Sequence, residues 1–158
     1  MLTSERLRQV LRYDPETGIF IWRKARQKVC VGGRAGGLSD KGYIRIMIDG
    51  KRYRAHRLAW LWMTGNWPPH EIDHRDLDKD NNVWGNLRLA NDTQQNGNKP
   101  LLRNNTSGYR GVSFDKRNKR WRAMIGDKNI GKFRTRGEAA AAYAVAARAY
   151  FGPFTRLG

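Results

Sequence analysis

At 158 residues the chain has room for one ordinary domain or two small ones. Lys and Arg number 31 against 14 Asp and Glu, a formal net charge of +17 that exceeds what solubility needs and points to a polyanionic partner, nucleic acid first. The single cysteine, Cys30, excludes an intramolecular disulfide and a cysteine-based zinc cluster, and no apolar run nears the ~20 residues of a membrane span, so a soluble, cytoplasmic protein is expected.

The charge is uneven. Residues 1–100 hold 18 basic and 11 acidic side chains, whereas 101–158 hold 13 and 3. Six Trp, six Tyr and five Phe interleave with the cations, which argues for folded binding surfaces and against a disordered basic tail.

In chain order, residues 3–13 place Val10 and Leu11 among charges at helical spacing, with Thr3 or Ser4 as N-cap. Residues 14–18 (DPETG) form a turn, and 19–22 (IFIW) read as a strand. Residues 32–37 are loop. Residues 43–48, the dipeptide Asp49-Gly50 and residues 51–54 (KRYR) make a basic β-hairpin. Residues 56–63 are a Leu- and Trp-rich buried helix that Gly65 and Pro68-Pro69 terminate.

After that stop comes EIDHRDLDKDNNVWGNLRLANDTQQNGNK. Asp76, Asp78 and Asp80 alternate as in a calcium loop, but Asn81 and Leu87 stand where such a loop needs Gly and Glu, so they read as a solvated turn joining two strands. Trp84 is expected to anchor that hairpin. His56 is expected to bond nearby backbone at its helix start, in preference to acting as a ligand, and His70 is a loop residue.

Asp73-His74, a polar loop, Asn86-Leu87-Arg88 and an amide-rich helix start together resemble the HNH endonucleases of homing type, and so does the preceding HRLAWLWMTGNWPP. The resemblance implies a ββα-metal fold. His74 would be the general base, a role that suits an imidazole whose ordinary pKa lies near working pH. Asn86 would orient that imidazole. Asp73 would be a metal ligand, together with an amide from the following helix: Gln95 by spacing, Asn96 by side-chain type, with Asn98 close by. These oxygen donors suit Mg²⁺ or Mn²⁺ better than zinc.

Residues 101–107 (LLRNNTS) are polar and turn-prone, and read as a linker. Three short strands then lead to an Ala-rich helix, with Thr135-x-x-Glu138 as a capping box and Gly152-Pro153 as its stop. Tyr109-Arg110-Gly111-Val112, Trp121 with Ala123 and Ile125, Gly131-x-Phe133 and EAAAAYAVAARAYFG resemble, in order, the AP2 DNA-binding domain. Arg110 is the leading base reader under that resemblance, with Arg120, Arg122, Lys132 and Arg134 sharing phosphate and base contacts. Ser113, Met124 and Asn129 depart from plant AP2 domains, so the plant target sequence does not transfer. Tyr143 and Tyr150 are expected on the packing stripe of the helix.

The expected architecture is therefore α+β in two modules: an HNH module at 1–100 with its core motif at 56–99, and an AP2-like domain at 108–158. The expected function is a metal-dependent, homing-type endonuclease of phage or mobile-element kind. It would act as a monomer on double-stranded DNA, without membrane contact. A non-catalytic, sequence-specific DNA-binding protein with a decayed nuclease fold is the alternative.

Overall fold

Thr3 caps the first helix, α1 (Ser4–Val10), its hydroxyl accepting from the Arg6 amide at 3.2 Å while Leu7 and Val10 turn inward. The chain passes straight into β1 (Leu11–Tyr13), which pairs antiparallel with β2 (Phe20–Trp22) across the 14–18 turn, where Asp14 Oδ1 accepts from the Glu16 amide. In this computed structural model residues 1–25 and 30–157 are described; residues 26–29 and Gly158, the last of the expected C-terminal domain, lie outside the described residues. The chain divides into two units, Met1–Asn91 and Asp92–Gly158.

In the first unit a three-stranded sheet follows: β3 (Gly37–Leu38), β4 (Ile44–Ile48) and β5 (Lys51–Arg54), with β4 central. β3 lies at the end of the stretch expected to be loop. Asp49 and Gly50 take φ of 48° and 76°, the two left-handed centres of a type I′ turn, and Arg6 pins the turn through two bonds to the Asp49 carboxylate, at 2.9 and 2.8 Å. Helix α2 (Ala55–Thr64) starts with no intervening loop and stops at left-handed Gly65, whose amide bonds the Leu61 carbonyl at 3.0 Å.

Leu7, Leu11, Phe20, Ile46, Ile48, Leu58 and Leu61 are fully buried in one core, with Trp60, Trp62, Trp67 and Trp84 packed against it. Trp84 meets Trp60 at 5.2 Å between rings and so ties the final hairpin of this unit to α2. That hairpin is β6 (Glu71–His74) antiparallel to β7 (Leu87–Ala90), with Asp73 opposite Arg88 and His74 opposite Leu87.

The second unit opens with helix α3 (Asp92–Asn98). The units therefore divide at 91/92, and residues 101–107 form no linker between them: Ser107 is buried, its hydroxyl bonded to Asn105 Oδ1 and the Tyr109 carbonyl. β8 (Val112–Asp115), β9 (Arg120–Ile125) and β10 (Lys128–Phe133) form an antiparallel meander with β9 in the middle. Helix α4 (Arg136–Phe151) packs on it behind the full Thr135/Glu138 capping box.

Ala139, Tyr143, Ala147 and Phe151 make the inner face of α4, the small residues letting helix and sheet approach. Tyr150 is 43 % exposed, contrary to expectation, because Phe151 fills the inner side of that last turn. Gly111 sits at φ 65° under Tyr143, where a Cβ would meet the ring at 2.2 Å and the Met124 carbonyl at 2.4 Å. Among the described residues no helix is long and apolar enough to cross a membrane.

Candidate functional site

His74 closes β6, and its side chain is only 5 % exposed. Its Nε2 lies 3.4 Å from Oδ1 of Asn82, a buried amide whose own Nδ2 donates to the Asp80 carbonyl at 2.8 Å. Burial lowers the pKa of the imidazole, and the Asn82 contact with the charges of Asp76, Asp73 and Asp78 only partly offsets it. A neutral ring follows at neutral pH, the form that can take up a proton.

Asn86, expected to orient His74, instead laces the loop. Its Oδ1 accepts from the Asp76 amide at 3.1 Å, and its Nδ2 donates to Asp76 Oδ1 at 2.8 Å and to the Asn81 carbonyl at 2.9 Å. Its position at the end of the short 3-10 turn Trp84–Asn86 directs the amide into the 76–81 segment, leaving the imidazole side to Asn82. The Asp76 carboxylate also takes the Asp78 amide and the Asn81 side chain, so the acidic run is an internally bonded, solvent-facing turn.

Asp73 lies directly across from Arg88, which places Nε at 2.9 Å and Nη2 at 2.8 Å from the same oxygen, Oδ2. The two side chains are 13 % and 11 % exposed. A proposed ligand is thus already balanced by a cation. Sequence reasoning assigned no role to Arg88 or Asn82, and nothing in their spacing singles them out.

His56 does not bond backbone as expected. It is 1 % exposed, and neither ring nitrogen has a hydrogen-bond partner among the described residues. Its ring lies edge-on to those of Tyr43 at 5.3 Å and His74 at 5.1 Å. Burial, then the nearby His74, Arg54 and Arg57, pushes its pKa down to about 3.

Among the described residues no three His, Cys, Asp or Glu side chains gather to hold a metal ion. Asp73 does offer a hard carboxylate next to His74 in sequence. Mg²⁺-type ions bind through one or two carboxylates, retained waters and substrate phosphates, so that donor fits such an ion, whereas a closed zinc cage would need more protein ligands. Gln95, Asn96 and Asn98 all lie on α3, in the second unit; Asn96 is exposed with its Oδ1 accepting from Lys99 at 2.6 Å, Gln95 is half-buried and Asn98 buried.

On the second unit's sheet, strand alternation puts Arg120, Arg122 and Met124 opposite the face that packs on α4. Arg122 pairs across to Ser113 and Lys132; Arg122, Lys132 and Arg134 are exposed, and Lys132 contacts Asp115 at 3.2 Å. Arg110, the expected base reader, is committed elsewhere. It donates to the carbonyls of Asn96 at 2.6 Å and Gly97 at 2.7 Å, acceptors that the C-terminus of α3 leaves open, and to that of Arg156 at 3.3 Å.

Residues 53–97 match the HNH endonuclease family. Protein 3.8 of Escherichia phage T7 is 34 % identical over 76 residues, which cover 48 % of this chain and 63 % of that protein. No solved structure matches the chain significantly. The family match takes in Asp73, His74, Asn82, Asn86 and Arg88.

Proposed function

We propose that the chain is a metal-dependent DNA endonuclease of homing type, with a ββα-metal catalytic module and an AP2-like domain that helps select the site. The observation that carries this reading is His74, a buried imidazole held neutral inside the segment that matches the HNH endonucleases.

Hydrolysis of a phosphodiester needs a base on the attacking water. His74 supplies it, taking the water's proton on its ring. Asn82, through its contact at Nε2, fixes how the ring is turned. Asp73 would hold a Mg²⁺ or Mn²⁺ ion, and the resemblance adds an amide oxygen from Gln95 or Asn96. When bound, the ion supplies positive charge to the phosphate and the leaving oxygen. Arg88 fixes the Asp73 carboxylate on its Oδ2 side. In the second unit the exposed Arg122, Lys132 and Arg134, with half-buried Arg120, suit double-stranded DNA, and their hold would raise the local concentration of the catalytic module at its target.

The Arg88–Asp73 pair favours a second reading, a DNA-binding protein whose nuclease fold has lost its metal, since the pair satisfies the carboxylate without an ion. Incubating supercoiled plasmid at low salt with Mg²⁺ or Mn²⁺ separates the two. Cutting that requires metal and disappears in His74→Ala, with 5′-phosphate ends on the products, is the expected result. DNA that is retarded but left intact with either metal supports the second reading.

A further inference from the structure

The β4–β5 hairpin of the first unit plays no part in the chemistry above, yet it carries an arrangement that costs stability unless an anion covers it. Arg45 stands directly opposite Arg54, and Met47 opposite Arg52. Ile46 and Ile48 fill the inner face, so alternation puts Arg45, Arg52 and Arg54 together on the outer one. Like charges directly across a strand pair repel. Among the described residues none of these three arginines makes an ion pair or a side-chain hydrogen bond. Asp49, the hairpin's acidic residue, is already held by Arg6.

The outer face also leads toward His74. The Arg54 guanidinium lies 4.8 Å over the ring of Tyr43, and the Lys79 ammonium, from the β6–β7 loop, lies 5.2 Å from the same ring. Tyr43 in turn sits 6.2 Å from the ring of His74. Four cations are thus arrayed from the outer hairpin to the edge of the candidate active site, with Tyr43 orienting two of them.

We propose that the outer face of the β4–β5 hairpin, through Arg45, Arg52 and Arg54 with Lys79 at its edge, binds the phosphate backbone of DNA next to His74. The repeated, unpaired guanidinium groups match a regularly charged polyanion, and two-donor guanidinium geometry suits phosphate oxygens. This surface belongs to the first unit, whereas the basic sheet of Arg122, Lys132 and Arg134 belongs to the second. It rests on the nuclease reading only for the identity of the strand it would hold.

The test is binding of the full chain to a labelled random-sequence duplex, in EDTA, by fluorescence anisotropy across a salt series. Arg45→Ala/Arg54→Ala is expected to weaken binding at least tenfold and to lower the slope of log affinity against log salt by about 1.8, at roughly 0.9 per lost phosphate contact. The exposed single variant Arg52→Glu, at a residue that makes no ion pair or side-chain hydrogen bond among the described residues, is expected to weaken binding in the same direction. Unchanged affinity and slope in both variants, with native circular dichroism, would overturn the proposal. So would an equal loss of binding to phosphatidylserine vesicles, which would make the face a general anion patch. Because metal is absent, failure of plasmid cleavage in wild type sinks the nuclease reading and leaves this result standing on its own.

Discussion

The imidazole of His56 meets that of His74 edge-on, with centroids 5.1 Å apart and ring planes at 86°. His56 is therefore one wall of the space that His74 occupies. Both of its ring nitrogens are buried, and neither has a hydrogen-bond partner among the described residues. Burial, first among the causes, and then His74, Arg54 and Arg57 hold it neutral down to about pH 3, whereas the unfolded chain takes up that proton near 6.5. The unfolded state thus binds more protons between those values, and stability present above pH 6.5 is lost as the pH falls toward 3. Urea unfolding should show a loss on the order of 3 kcal/mol from this residue between pH 7 and 4.5. His56→Phe, which keeps the ring and removes the nitrogens, should be no less stable at pH 7 and show a flatter profile; an equally steep one would assign the acid sensitivity elsewhere.

Arg88 and Asp73 form a largely buried pair on adjacent strands. Arg88→Met leaves a carboxylate without that cation, and removal of one buried partner costs roughly 3 kcal/mol. The double variant Asp73→Leu/Arg88→Met should recover most of the loss. Equal destabilisation in single and double variants would show that the pair contributes little beyond packing.

Much of the local structure was legible because its cause is local. Asp49-Gly50 at a type I′ turn, Thr3 at an N-cap and the Thr135/Glu138 box each bond atoms within a few residues of one another, so spacing alone identifies them. The partner of His74 was not legible. Asn82 and Asn86 are both amides in one loop, and the choice between them depends on the loop's path, which left-handed Leu77 and a bond from the Tyr13 hydroxyl to the Asn82 carbonyl, 69 residues apart, help to fix. Arg110 was misread for a similar reason: nothing in its sequence neighbourhood reveals that the last carbonyls of α3 face it.

Asn82 and Asn86 make different demands on an alanine substitution. Asn86→Ala removes three bonds within the 76–86 loop and should lower stability by about 1–3 kcal/mol, as for an exposed-to-half-buried polar network. Asn82→Ala removes the contact at His74 Nε2 and should act chiefly on the turnover rate under saturating DNA, with KM little changed. Turnover in Asn82→Ala equal to wild type would return the orienting role to another group.

Arg110 is the last residue whose role the structure reassigns. Three carbonyls accept from its guanidinium, so Arg110→Met should unfold the second unit more readily, by about 1.5–3 kcal/mol per charged hydrogen bond at most and less where water replaces it. A residue that reads a base would behave differently: its loss would relax preference at one position while leaving stability near wild type. Binding selections with randomised duplexes, run alongside thermal melts, separate the two. A lowered melting temperature with an unchanged preferred sequence is expected for Arg110→Met. Exposed Arg122 is expected to show the reverse, a weakened or altered preference at an unchanged melting temperature, because no acceptor among the described residues depends on it.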